Sequence, residues 1–304
     1  MSTFVDLQVN GFAGVDFNAD QLSDDEVLTA TAALREIGGI DRCLVTLITA
    51  PWSVLNRRIA AWASRLDRLE SLQETIAGLH IEGPFISSQA GFVGAHPADA
   101  TRPATPSSAC ELLESGAGWI RMITLAPECD AGSKSTRYLR DQELIVAAGH
   151  SDASIDQLKQ SIDAGLQIFT HLGNGCPAML PRHDHIINRV LSLSEHLTVS
   201  FIADGHHVPW LALRTYLQVV PATKVLIVSD AIAAAGLGAG RFQLGHHIFD
   251  VKEDLSTWSA DGLHLTGCAT TMPQMASLLK ERLSVSDEQI ETWMIHNPRR
   301  MLGA

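Results

Sequence analysis

Eight short apolar runs, separated by helical patterns, constrain the fold of this chain more than any other feature. They lie at 4–9, 42–48, 76–81, 119–125, 144–149, 167–170, 197–202 and 224–229. Short runs with apolar residues on both faces are typical of a parallel sheet that is covered by helices on both sides. Eight such units in 304 residues favour an α/β fold of the closed (β/α)8 barrel type over an open, doubly wound sheet.

Helix start signals lie between several of these runs. A serine followed three residues later by Glu or Gln predicts a capping box, and the four pairs are Ser23–Glu26, Ser108–Glu111, Ser154–Gln157 and Ser286–Gln289. The first predicted helix carries Val27, Ala30, Leu34 and Ile37 at helical spacing and ends at Gly38 and Gly39. The Gly- and His-rich segment 236–264 interrupts the alternation, and we expect a hairpin or loop insertion there.

Composition and charge restrict the classes of function. The formal net charge of -12 argues against a nucleic-acid or anionic-membrane partner, because a field of that sign repels phosphate polymers. No stretch approaches the roughly 18 to 20 apolar residues that cross a bilayer, and no secretory leader pattern opens the chain, so we expect a cytoplasmic protein. The five cysteines lack any C-x-x-C pair and predict free thiols rather than a disulfide framework or a cysteine zinc site.

Polar side chains lie at or just beyond the ends of six of the eight predicted strands. They are Gln8 and Asn10 for the first strand, Glu82 for the third, His150 for the fifth, His171 and Asn174 for the sixth, Asp204 and His207 for the seventh, and Asp230 for the eighth. Because the carboxyl ends of barrel strands meet at one face, side chains from different strands converge there. The sequence therefore predicts an active site at this face.

Glu82, His150 and His171 are the candidate metal ligands. Two imidazoles and one carboxylate from separate strands are the usual ligand set of a catalytic zinc or similar divalent ion. Any one of them alone would more often be a core or capping residue, but the ordered set weakens that interpretation. Asp230 is the candidate general base, with a helix N-cap as its alternative role. His96 is a candidate donor to a substrate oxygen, and a loop histidine without a role is the alternative.

The segments that carry these residues resemble the N-acetylglucosamine-6-phosphate deacetylase family of the amidohydrolase superfamily. The motifs are HIEGPF followed by GAH, GHSDAS, THLGN, IADGHHV, LIVSDA and DGLHLTG, within a match that runs from DLQVNGFAGVDFN to HNPRRMLGA. The resemblance implies a metal-dependent hydrolase barrel as a single domain over 1–304. The implied reaction removes the N-acetyl group of N-acetylglucosamine 6-phosphate in amino-sugar metabolism.

The resemblance also implies roles for individual residues. Glu82, His150 and His171 would hold the metal ion, Asp230 would be the catalytic acid and base, and His96 would polarise the acetyl carbonyl. The residues expected to bind the substrate are Gln8, Asn10, His96, Asn174, Gly175, Arg182, His207, Leu265 and Thr266.

Many amidohydrolases carry His-x-His on the first strand, where this chain has Gln8 and Asn10. Because amides are poor ligands for transition metals, we expect one divalent ion per chain, zinc first, with Fe2+, Mn2+ or Co2+ as alternatives. A phosphorylated amino sugar is the expected small-molecule partner, and the family implies a possible homodimer.

The chain departs from the family pattern in two places. Family members usually add a small β-sandwich to the barrel, and this sequence is expected largely to lack it. The loop 175–185, which reads GCPAMLPRHDH, also differs from the usual pattern. A different N-acyl amino sugar or amide is therefore the alternative substrate, and a non-catalytic sugar-binding homologue is the third hypothesis.

Overall fold

Eight parallel strands form the centre of this computed structural model, which describes residues 4–244, 247–259 and 267–303. Each strand pairs with the next along the chain. The strands are β1 Phe4–Val9, β2 Ile40–Ile48, β3 Ile76–Glu82, β4 Ile120–Leu125, β5 Ile145–Ala148, β6 Ile168–Phe169, β7 Thr198–Phe201 and β8 Val225–Ile227. All eight predicted strands and the (β/α)8 barrel are confirmed.

Helices lie between successive strands and after the last one. They are α1 Asp24–Glu36, α2 Trp52–Arg68, α3 Glu70–Gln73, α4 Pro106–Gly116, α5 Lys134–Asp141, α6 Ile155–Asp163, α7 Ile186–Ser192, α8 Trp210–Val219, α9 Met272–Leu283, α10 Asp287–Glu291 and α11 Asn297–Leu302. In the described ranges, no helix is both long enough and apolar enough to cross a membrane.

Three of the four predicted capping boxes are confirmed, those at Ser23, Ser154 and Ser286. The prediction at Ser108 is wrong, because α4 begins earlier and Thr105 is its N-cap. The Thr105 hydroxyl accepts from the Ser108 backbone N–H at 3.1 Å, and a proline directly after the cap fits the first helical position. Ile37 also departs from expectation, since it lies beyond the end of α1 and is 49% exposed.

A buried carboxylate joins the last barrel strand to the first. Asp6 in β1 accepts hydrogen bonds from the Ser229 backbone N–H at 3.2 Å and the Gln8 backbone N–H at 3.1 Å. A single bridge between Val9 and Ala231 continues this junction. Burial raises the pKa of Asp6 to about 7, so this barrel seam contains a titratable group.

The segment after β8 contains an antiparallel sheet of three short strands, Gly240–Leu244, His247–Val251 and Thr257–Ser259. The predicted hairpin insertion is thus confirmed where the structure describes it. Residues 245–246 and 260–264 of the predicted insertion lie outside the described residues.

Candidate active site

The candidate catalytic residues lie at the carboxyl ends of the barrel strands. Glu82 is the last residue of β3, while His150, His171 and Asp230 follow β5, β6 and β8. These last three have left-handed backbones, with φ of 52°, 30° and 49°. That conformation costs about 1–2 kcal/mol for a residue with a Cβ, and such residues cluster at functional sites.

Glu82, His150 and His171 form a compact, buried cluster. Their ligand atoms all lie within 4.8 Å of one another. Glu82 Oε1 is 2.8 Å from His171 Nε2 and 3.5 Å from His150 Nε2. Gln8 orients the carboxylate, because its Nε2 donates to Glu82 Oε1 at 3.0 Å and its Oε1 accepts from the Thr170 hydroxyl at 2.8 Å.

The donor chemistry of this cluster fits a divalent cation. Burial alone would raise the pKa of Glu82, but hydrogen bonds from His150 and His171 outweigh it and hold that pKa well below its usual value. His150 Nδ1 lies 2.9 Å from the Phe92 carbonyl oxygen, which can only accept. Nδ1 of His150 therefore carries a proton, so when the ring is uncharged its Nε2 can offer a lone pair to a cation in place of the hydrogen bond to Glu82, as in metal-binding histidines.

Two glycines, from the loops after β3 and β6, pack against the His150 ring. A Cβ on Gly94 would lie 3.0 Å from His150 Cε1, and a Cβ on Gly175 would lie 2.8 Å from His150 Nδ1. Both glycines have φ of +60°, a conformation that also favours glycine. Gly175, which is predicted to contact the substrate, thus also packs closely against a candidate metal ligand.

Asp230 is anchored through one of its two carboxylate oxygens. Asn10 Nδ2 donates to Asp230 Oδ1 at 2.6 Å. Burial, and then the negative charge of Glu82, raise the pKa of Asp230. Its alternative role as a helix N-cap is wrong, because residues 231–239 form a bridge and turns rather than a helix.

His207 pairs with a second aspartate at the end of β7. Asp204 Oδ2 lies 2.6 Å from His207 Nδ1, and Asp204 Oδ1 accepts the backbone N–H groups of His206 and His207 at 2.9 Å. Burial opposes ionisation, but these hydrogen bonds outweigh it and lower the pKa of Asp204. Cys268 Sγ completes a second group of ligand atoms within 4.8 Å of one another.

His96 reaches the cluster from the loop after β3. Its ring centroid is 4.4 Å from that of His150, and its Nε2 is 3.9 Å from Glu82 Oε2. Burial, and then the charge of His150, lower the pKa of His96 to about 3. Sequence reasoning missed its partner Thr49, which follows β2 and lies 2.9 Å from His96 Nδ1. Its place directly after a predicted strand was the signal that could have assigned Thr49 to the active-site face.

The structure does not bring every predicted residue together. Asn174 Nδ2 donates to the His171 carbonyl at 3.1 Å, so this side chain is turned toward its own loop. Arg182 is exposed and makes no hydrogen bond or ion pair within the described part of the chain. Leu265 and Thr266 lie outside the described residues.

A (β/α)8 barrel with this donor set at its carboxyl face defines a protein of the metal-dependent amidohydrolase class. A structure of 4-oxalomesaconate hydratase from Rhodopseudomonas palustris shares the fold, with a TM-score of 0.52 at 12% identity, covering 99% of this chain and 96% of that one. No family model matches the sequence.

Individual relatives identify the family more narrowly than the shared fold does. N-acetylglucosamine-6-phosphate deacetylase of Danio rerio is 31% identical over 99% of this chain and 74% of its own length. N-acetylgalactosamine-6-phosphate deacetylase of Escherichia coli O157:H7 is 28% identical over 99% of this chain and 77% of its own length. The Mycobacterium smegmatis deacetylase, solved as a mutant with N-acetyl-D-glucosamine-6-phosphate, has a TM-score of 0.87 at 30% identity, covering 99% of this chain and 77% of that one. The chain therefore belongs to the N-acetylglucosamine-6-phosphate deacetylase family.

Proposed function

We propose that this protein hydrolyses the N-acetyl group of N-acetylglucosamine 6-phosphate, giving acetate and glucosamine 6-phosphate. The observation that carries the proposal is the buried Glu82, His150 and His171 cluster, with Asp230 and His96 beside it. Family membership supplies the substrate class, since relatives that cover nearly the whole chain carry that activity in their names.

Glu82, His150 and His171 would hold one divalent ion, and zinc is the first candidate for this ligand set. When bound, such an ion acts as a Lewis acid and favours ionisation of water. Gln8 keeps the Glu82 carboxylate in place through its amide N–H. Metal analysis of the protein as purified would identify the ion.

Asp230 carries the proton in this reaction. Asn10 occupies Oδ1, so Oδ2 is left to take a proton from the attacking water. The water oxygen bonds to the acetyl carbon, the C–N bond breaks, and Asp230 returns the proton to the departing amine nitrogen. A raised pKa suits Asp230 to accept the proton, because burial and the charge of Glu82 make its carboxylate more basic than that of an ordinary aspartate.

His96 and His207 would contact different parts of the substrate. His96 Nε2 is near the Glu82 carboxylate, where it would meet the acetyl oxygen. His207 is fixed by Asp204 and, with the Gly175 backbone, would contact the sugar phosphate. Asn174 would join them by giving up its hydrogen bond to the His171 carbonyl oxygen.

Arg182 would also contact the phosphate, since its exposed guanidinium has no partner among the described residues. Arg182→Ala should raise KM for the phosphorylated sugar about tenfold or more, because a charge-assisted hydrogen bond would be lost. An unchanged KM would remove Arg182 from the phosphate site and favour an unphosphorylated or different N-acyl amide.

N-acetylgalactosamine 6-phosphate is a second candidate substrate, favoured by the Escherichia coli relative that covers 99% of this chain. Acetate release from both sugar phosphates, measured with Asp230→Asn as the control, tests the proposed reaction. Turnover that the mutation abolishes supports it, and the ratio of kcat/KM selects between the two sugars. Sugar binding without turnover in metal-loaded protein would instead support a non-catalytic homologue. A homodimer, the assembly proposed from the family, is tested by light scattering.

A further inference from the structure

Thr49 is a polar residue at the end of a barrel strand with no role in the reaction described above. It follows β2, is 2% exposed and contacts the ring of His96 through two of its groups. The Thr49 backbone N–H donates to His96 Nδ1 at 3.3 Å, and the Thr49 hydroxyl lies 2.9 Å from the same nitrogen. The same hydroxyl also reaches a second acceptor, the Glu82 carbonyl oxygen, at 3.4 Å.

The backbone contact decides which nitrogen of His96 carries the proton. A backbone N–H can only donate, so the nitrogen it reaches must offer a lone pair. His96 Nδ1 is therefore an acceptor, and the proton of an uncharged ring must be on Nε2. Because Nδ1 is an acceptor, the shorter contact of 2.9 Å requires the one hydrogen of the Thr49 hydroxyl to point at Nδ1 in place of the longer bond to the Glu82 carbonyl oxygen, and this supports the same tautomer.

The geometry around Nε2 leaves its hydrogen available. Nε2 is 3.9 Å from Glu82 Oε2, which is beyond a hydrogen bond. The Thr49 hydroxyl oxygen approaches Gly83 so closely that a Cβ at that position would overlap with it. The hydroxyl thus packs against the backbone that directly follows Glu82.

We propose that Thr49 is a positioning residue, which fixes His96 with its proton on Nε2 and directs that N–H at the acyl oxygen of the amide. The inference rests on the proposed function for the identity of that oxygen, but the tautomer is a property of the protein alone. Donors that are held in place before reaction need no reorganisation when charge develops on the oxygen.

The tautomer is tested by nitrogen NMR of zinc-loaded protein with 15N-labelled histidine. The His96 signals are assigned by their loss in His96→Gln. The expected result is an unprotonated Nδ1 and a protonated Nε2 in the wild-type protein. A proton on Nδ1 would overturn the proposal, whatever the activity of the enzyme.

The role of the hydroxyl is tested by Thr49→Val and Thr49→Ser. Valine has a similar shape but cannot donate, so kcat should fall about tenfold with little change in KM, as expected for one hydrogen bond that supports the reacting geometry. Serine should restore kcat to within about twofold. A wild-type kcat in Thr49→Val would overturn the positioning role.

Thr124→Val is the matched control. The Thr124 hydroxyl lies 2.7 Å from Nε2 of His80, a buried histidine outside the proposed catalytic set. The control therefore removes a threonine hydroxyl, on the strand next to that of Glu82, from a different histidine ring, and kcat should stay within about twofold of wild type. Equal losses of kcat in Thr49→Val and Thr124→Val would mean a general packing effect and overturn the proposal.

Failure of the proposed function gives a different result. A protein with the Nε2 proton that releases no acetate would refute the function and leave the tautomer in place. A protein that releases acetate with the proton on Nδ1 would refute the role of Thr49 and leave the function in place.

Discussion

Replacing Asp6 by Asn should change how the stability of the barrel depends on pH. Burial raises the pKa of Asp6 from its ordinary 3.8 to about 7. Between these values the folded chain keeps a proton on Asp6 that the unfolded chain releases. The contribution of Asp6 to the free energy of unfolding is therefore complete below about pH 4 and is lost as the pH rises through about 7.

The size of the effect follows from the two pKa values of Asp6. Each pKa unit corresponds to about 1.4 kcal/mol, so the complete change is about 4 kcal/mol. From pH 5 to pH 8 roughly two of these units are crossed, and wild type should lose about 3 kcal/mol relative to Asp6→Asn. Asparagine keeps an oxygen for the amides of Gln8 and Ser229, but it does not ionise.

Urea unfolding followed by tryptophan fluorescence at several pH values measures this difference. Asp24→Asn is the control, because hydrogen bonds from Arg68 and Arg65 lower the pKa of Asp24. Its difference from wild type should change only in acid, at about pH 4 and below, and with the opposite sign. A constant difference between wild type and Asp6→Asn from pH 5 to pH 8 would refute a protonated Asp6 in the folded barrel.

Two further predictions concern the metal ligands. Gly175→Ala should weaken metal binding about 10- to 100-fold, because the new Cβ would lie 2.8 Å from Nδ1 of His150. Gly118→Ala is the control, since Gly118 has φ of +89° but nothing within 4 Å of the added Cβ, and equal metal affinities would contradict the packing argument. Glu82→Gln should leave the purified protein without its metal ion by elemental analysis, because the only anionic donor of the cluster is removed. Retention of one ion per chain would assign the metal to other residues, such as Asp204.

The strands could be predicted because burial on both faces leaves a plain signal in the sequence. Each apolar run became one barrel strand, and the polar residues at the strand ends then fell on a single face. Convergence of Glu82, His150 and His171 follows from topology alone, since parallel neighbours bring their carboxyl ends together.

The two wrong N-cap predictions, at Ser108 and Asp230, fell where a neighbouring residue or the backbone conformation overrode the local sequence pattern. Ser108 and Glu111 have the right spacing for a capping box, but the preceding Thr105 and Pro106 start the helix three residues earlier. Aspartate is a favoured N-cap residue, but Asp230 has a left-handed backbone instead of the extended one of an N-cap, and no helix directly follows it.

Long-range contacts account for what the sequence could not reveal. Thr49 stands 47 residues before His96, and although its place at a strand end points to the active-site face, nothing in either segment indicates that the two side chains meet. The position of Arg182 depends on the path of the 175–185 loop, which has no periodic pattern to define it.

The left-handed backbones of His150, His171 and Asp230 create a trade-off between folding stability and catalytic activity at one face of the barrel. Glycine or asparagine would fit these three positions with less strain, so a search for heat-resistant variants would favour replacing residues that the chemistry needs. Engineering of this protein should therefore seek added stability in the helices and at the opposite face, and leave the strand ends strained.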